Sequence, residues 1–160
     1  MLTLRPARPE DAETILAFIH KLALYEKAPE KVVACADDLR KVMTGPAPLV
    51  RVLLADWDGR EAGFALFFHT FSTWEGKRCL YLEDLFVDPE FRGKGIGKAL
   101  LSHLAKECVT NNWSRLQWSV LDWNAPSIAF YKSLGAVMMD EWTICKVAGP
   151  ALSALAEGRN

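Results

Sequence analysis

Histidine is scarce in this 160-residue sequence, and none of His20, His69 and His103 sits at H-E-x-x-H spacing. The four cysteines, Cys35, Cys79, Cys108 and Cys145, lie too far apart for a C-x-x-C pair, so no metal site is expected. They are predicted to pack as small apolar side chains in a reducing compartment, and Cys108 lacks a local base that would make it a nucleophile. Neither sign of charge dominates. With 19 basic and 20 acidic residues the net charge is −1, which gives no broad field to attract nucleic acid or an anionic membrane. No apolar run approaches the roughly 20 residues a membrane span needs. The opening M-L-T-L-R-P-A-R-P places charge where a secretory signal has its apolar block. The chain is therefore expected to be cytoplasmic. Repeats, low-complexity tracts and linkers are also missing, which predicts one domain spanning 1–160 around a single core.

The most informative segment that is present runs from Leu82 to Lys98, L-E-D-L-F-V-D-P-E-F-R-G-K-G-I-G-K. An apolar strand ends at Asp88-Pro89-Glu90, and Gly93, Gly95 and Gly97 then lead directly into a helical pattern. Bare backbone N–H groups and the partial positive charge of a helix N-terminus favour an anion there, and Arg92, Lys94 and Lys98 bracket the glycines. It is not a Walker loop, because Arg92 stands where the first glycine belongs and Ala99 where Ser or Thr belongs. Nor is it a dinucleotide fingerprint, since G-x-G-x-G lies past the middle of the chain and lacks the G-x-G-x-x-G spacing.

Periodicity orders the rest. Strands are predicted at Leu2 to Arg5, Leu49 to Ala55, Gly63 to Thr73 and Arg78 to Asp88, the last three forming an antiparallel meander turned at Asp58-Gly59 and at Trp74 to Lys77. Helices are predicted from Asp11 to about Ala28, around Asp37 to Met43, from Ile96 to Asn111, and from Ala125 to Leu134 with Gly135 as the left-handed cap. Further strands are predicted at Arg115 to Leu121, Ala136 to Met139 and Thr143 to Val147, with a loosely held helix at the C-terminus. The order is that of a mixed α/β sheet, not a doubly wound one.

Four segments together resemble one family: L-R-P-A-R-P-E-D-A, F-S-T-W-E-G-K, Y-L-E-D-L-F-V before the glycine loop, and V-L-D-W-N-A-P-S-I-A-F-Y-K-S-L-G-A after it. In this order they are similar to the GNAT superfamily of N-acyltransferases, and among these to the diamine and thialysine N-acetyltransferase branch. The resemblance covers nearly the whole chain. It implies an acyl-CoA N-acyltransferase fold, a mostly antiparallel central sheet with two splayed strands flanked by helices. It also implies acetyl-CoA as co-substrate, a small-molecule amine as acceptor, direct attack of the amine on the thioester, and a homodimer.

The resemblance also assigns residues. Pantetheine would pair with the strand backbone at Leu85, Phe86 and Val87, and the diphosphate would lie on Arg92, Gly93, Lys94, Gly95, Ile96, Gly97 and Lys98. Asn124 would bond the pantetheine amide. Tyr131 would be the general acid, its phenol near pKa 10 close enough to a thiol near 8.5 to protonate the leaving group. Glu83 would face the acceptor amine and help deprotonate it. Tyr25, Glu26, Trp74 and Asp84 would complete the acceptor side, with Asp84 itself expected to be structural, bonded to backbone or to a cation. Strand alternation predicts Glu83 and Asp84 on opposite faces, which would bar a carboxylate pair. Ser72 stands where polyamine enzymes carry an acidic residue, which favours a compact amine or amino-acid side chain over a long polyamine. A protein acetyltransferase and a non-catalytic acyl-CoA-binding module remain the alternatives.

Overall fold

A five-stranded sheet in the order β1-β2-β3-β4-β5 organises the first of two compact units, Met1–Leu121, in the computed structural model, which describes residues 1–159. The strands are β1 Leu2–Pro6, β2 Arg51–Trp57, β3 Arg60–Ser72, β4 Lys77–Val87 and β5 Leu116–Gln117. The first four pair antiparallel, while β5 joins β4 in parallel. Helices α1 (Ala12–Tyr25), α2 (Ala36–Met43) and α3 (Ile96–Thr110) belong to this unit. The second unit, from Asp122 onward, holds α4 (Ala125–Ser133) and α5 (Pro150–Ala156). The mixed sheet flanked by helices agrees with the predicted fold class.

Both faces of the sheet are covered. On one, Val52, Leu54, Phe64, Leu66 and Phe86 pack with Ala12, Ile15 and Phe18 of α1 and Leu39 of α2. Phe18 stacks on Phe64 with ring centroids 5.6 Å apart. The alternate residues Leu53, Ala65, Phe67, Leu80 and Leu82 are buried on the opposite face, where α3 contributes Ile96, Leu100, Leu101 and Leu104. This is the four-residue stripe visible in the sequence, here closing a core. The β2–β3 hairpin turns at Asp58 (φ 51°) and Gly59 (φ 78°), the paired positive angles that a two-residue hairpin demands. Helix α1 is entered through Asp11, which accepts both guanidinium nitrogens of Arg5 at 2.9 Å and the Arg8 backbone N–H at 2.7 Å.

Three predictions fail. Residues 136–139 and 143–147 are not strands, and β5 spans two residues instead of seven. The apolar residues Val137, Met139, Ile144 and Val147 suit a buried strand, but a strand also needs a neighbour for its backbone, and the second unit contains no strand among the described residues. Val137 and Ile144 are consequently exposed. The cysteines divide as well: Cys79 and Cys108 are buried as predicted, whereas Cys35 and Cys145 are exposed.

Gly63 lets β3 lie against β4 at the point where β4 leads into the glycine loop. A Cβ there would stand 2.4 Å from the Phe86 carbonyl oxygen, a backbone atom that cannot swing aside. Gly63→Ala is therefore expected to lower unfolding free energy by about 3 kcal/mol in urea titrations, an overpacking penalty taken against backbone.

Candidate functional site

Pairing between β4 and β5 stops early. Leu80 lies opposite Leu116 and Tyr81 opposite Gln117, and from Leu82 onward β4 has a partner strand only on its β3 side. The chain beyond β5 stays near at Ser119, whose hydroxyl meets the Tyr81 hydroxyl at 3.0 Å. Backbone direction follows from one bond: Asp88 N–H donates to the Ala62 carbonyl across to β3 at 2.9 Å. Counting back by twos, Phe86 also faces β3, so the N–H groups of Leu85 and Val87 face the open edge. A ligand with an amide-bearing extended arm could pair there as an added strand.

That edge runs into the predicted anion loop. Asp88 ends the strand by accepting from Glu90 N–H at 3.3 Å and from Lys21 Nζ of α1 at 2.5 Å, and Pro89–Phe91 makes a single 3-10 turn. Gly93 (φ 76°) and Gly95 (φ 78°) then take left-handed conformations costly for any other residue. Among the described residues, the first backbone bond of α3 is Ala99 N–H to Gly95 carbonyl at 2.9 Å. The N–H groups of Ile96, Gly97 and Lys98 thus point out of the helix start, three donors where the dipole favours negative charge. A Cβ added at Gly93 or Gly95 would meet nothing within 4 Å, so the cradle is open. These donors and the free strand edge fit a diphosphate joined to an extended amide arm.

The basic side chains of the loop also make contacts within the protein. Lys94 Nζ lies 4.8 Å from the Trp57 ring centroid and 5.4 Å from that of Phe91. Arg92 donates from Nε to the Val87 carbonyl at 3.0 Å, and its guanidinium lies 5.1 Å from the Tyr25 ring and 5.8 Å from that of Phe86. Lys98 is exposed at the start of α3. The backbone presents the anion donors, and two of the three cations brace the loop on aromatic rings.

The acceptor-side residues meet through a feature absent from the prediction. Leu66 pairs with Asp84 and Phe67 with Leu82, so Glu83 is an extra residue, a β-bulge in β4. Opposed residues share a face, so Asp84 joins Leu66 and Phe86 on the α1 side. Read from the strand start, Tyr81 pairs with Phe68 on that same side, and alternation then brings Glu83 there too. The bulge thus undoes the predicted opposition and sets two consecutive carboxylates on one face. Their charges interact: burial, then Glu83, then Glu26 at the end of α1, push the Asp84 carboxyl up to about 6. Partial burial also raises Glu26. The expectation that Asp84 bonds to backbone or a cation is not met, since no such partner is found among the described residues. Two adjacent carboxylates in an apolar strand were the one sequence signal of this arrangement.

Not every predicted residue joins this group. Trp74 sits 91% exposed on the β3–β4 turn, and the seven residue steps from Lys77 to Asp84 span roughly 23 Å at strand rise. In the second unit, Asn124 caps α4, its side-chain oxygen accepting from Ser127 N–H at 3.3 Å. Tyr131 lies in the last turn of α4, its ring 5.4 Å from that of Phe130, and Gly135 (φ 90°) ends the helix. Burial holds the Cys108 thiol above its usual range, in keeping with a packing role. No cluster suited to a metal ion occurs among the described residues.

Asp84 supplies a pH test. Its folded-state pKa of about 6 lies above the usual 3.8, so ionisation penalises the native state. The penalty is complete above pH 6 and vanishes below about pH 4. Asp84→Asn is expected to stabilise the protein at pH 8 by up to about 3 kcal/mol, two pKa units of linkage, with no difference from wild type at pH 4. Denaturant titrations across that range measure it, and a constant difference would remove the coupling.

Comparison with known proteins agrees with this geometry. Residues 15–136 match the acetyltransferase (GNAT) family. The thialysine N-epsilon-acetyltransferase of Bos taurus is 34% identical over 164 positions, covering 96% of each chain. The L-ornithine N5-acetyltransferase of Arabidopsis thaliana is 42% identical over 94 residues, 59% of this chain and 41% of that one. An integron cassette protein from the mobile metagenome of V. cholerae has a similar structure, with a TM-score of 0.79 at 28% identity over 98% of both chains. With an open strand edge running into a left-handed glycine loop, and a sequence match over most of its length, the chain belongs to the GNAT family of acetyltransferases.

Proposed function

We propose that this acetyltransferase moves the acetyl group of acetyl-CoA to the side-chain amine of a small amino acid of the thialysine or ornithine type, or of a short diamine. The observation that carries this reading is the β4 bulge, which puts Glu83 and Asp84 on the face where α1 ends in Glu26. Three carboxylates within electrostatic reach suit an acceptor that carries more than one ammonium group. The names of the relatives support the same class.

Acetyl-CoA supplies an activated acetyl thioester. The chain would hold its diphosphate on the N–H groups of Ile96, Gly97 and Lys98, with Gly93 and Gly95 shaping the turn, and its pantetheine arm along Leu85 to Val87. The outward N–H of Leu85 is placed to receive negative charge developing on the thioester oxygen. Glu83 and Asp84 would bind the ammonium form of the acceptor and take its proton through water, leaving the neutral amine as nucleophile. Asp84, its carboxyl pushed up to about 6 by burial and by Glu83 and Glu26, would exchange a proton near neutrality. Tyr131 is assigned as proton donor to the departing thiolate on the F-Y-K-S-L-G-A motif, and Asn124 as partner of the pantetheine amide on the same resemblance. Tyr25 and Glu26 would shape the acceptor end. A second copy of the chain would cover the exposed Phe71 and Trp74, giving the homodimer.

A turnover screen with acetyl-CoA against thialysine, lysine, ornithine, short diamines and spermidine tests the substrate class. The compact diamino acids are expected to exceed spermidine in kcat/KM, and the reverse order would overturn the reading. Tyr131→Phe is expected to lower kcat by about 100-fold, a typical general-acid contribution, with coenzyme A affinity unchanged. Glu83→Gln is expected to raise the acceptor KM more than that of acetyl-CoA. Wild-type kinetics in both variants would remove these assignments.

A further inference from the structure

Arg92 touches both the loop after β4 and the end of α1. From the loop side, its Nε holds the carbonyl of Val87, the last residue of the open β4 edge, at 3.0 Å. From the helix side, its guanidinium plane rests on the ring of Tyr25, the last residue of α1. Phe86, on the neighbouring β4 position, contributes a second ring. Among the described residues both Nη groups make no hydrogen bond, so up to four N–H donors remain available beside the anion loop. The next residue after Tyr25 is Glu26, whose charge acts on Asp84. A second tie runs parallel to the first, Lys21 Nζ to Asp88, so the last two turns of α1 are fastened to the loop at both edges.

We propose that Arg92 is a positioning residue that couples the two substrates, its guanidinium reading the diphosphate while its stacking on Tyr25 fixes the end of α1 that carries Glu26. The inference rests on the reading that the loop binds coenzyme A. An anion on the Nη groups draws the guanidinium into one orientation. A guanidinium so fixed offers Tyr25 a fixed partner, and the α1 terminus then loses alternatives it would otherwise sample. The acceptor binds to a terminus already ordered and so binds more tightly, and by linkage the acceptor tightens coenzyme A by the same factor. The stacking has the strength of an exposed cation–π contact, which converts to about a two- to five-fold effect. Lysine cannot replace arginine here, because an ammonium is a single point and cannot hold Val87, a ring and an anion in one plane.

The test measures the dissociation constant of coenzyme A by calorimetry, with and without saturating amine, using the best acceptor of the turnover screen. Hydrogen exchange across residues 22–28 is followed in the same samples. In wild type and in Tyr25→Phe, which keeps the ring, the amine is expected to tighten coenzyme A two- to five-fold, and coenzyme A alone to slow exchange in this segment. In Tyr25→Leu and in Arg92→Lys, both effects are expected to disappear while coenzyme A still binds. Coupling that survives either substitution, or that is lost equally in Tyr25→Phe, overturns the inference. Wild type that binds coenzyme A and turns over amine without coupling also overturns it and leaves the functional reading intact. Wild type that neither binds coenzyme A nor turns over amine overturns both.

Discussion

One inserted residue in the longest strand pairing decides what the protein can do. Side chains along a strand alternate with a period of two, so consecutive residues normally serve opposite faces. Within the β3–β4 pairing the bulge at Glu83 breaks that rule once, where two carboxylates stand side by side. It delivers both to the α1 face without changing the apolar register on either side, where Phe67 still meets Leu82 and Phe64 still meets Phe86. Sheet and core are therefore complete up to and beyond the bulge, and the cost falls on Asp84, whose charge is held in partial burial beside Glu83 and Glu26. A cation bound there would return what desolvation takes away.

The second half of the site is made of backbone. Beyond Tyr81 the β4 edge has no strand on the side away from β3, and the left-handed glycines lead on to the N-terminus of α3, so outward N–H groups stand at Leu85 and Val87 and again at Ile96, Gly97 and Lys98. Backbone donors suit a ligand that must bind in one register, because their positions are set by the fold and not by rotamers. The basic side chains serve the frame: Lys94 lies on Trp57 and Phe91, and Arg92 joins Val87 to Tyr25. With Lys21 and Asp88 they hold the loop against the end of α1 that leads into Glu26.

Much of this could be read in advance. The meander, the Asp58-Gly59 hairpin, the amphipathic α3 and the loop glycines are local features, each marked by residues within a few positions of one another. The C-terminal strands fail because an apolar run at 136–147 reports a tendency and not a partner. Asp84 was misread for a related reason. Its setting depends on register against β3, 18 positions earlier at Leu66, and a bulge has no mark of its own in one strand's sequence. The braced positions of Arg92 and Lys94 depend on Tyr25 and Trp57, far away in the chain.

The amino-acid order by itself determined the elements as far as α4, the place of the glycine loop and the residue types available around it, since periodicity, turn chemistry and motif are all short-range. Tertiary structure alone decided which carboxylates share a face, which strand edge stays open and which cations lie beside aromatic rings. These are properties of pairing between distant segments, and a strand's partner, unlike its propensity, is not written in the strand.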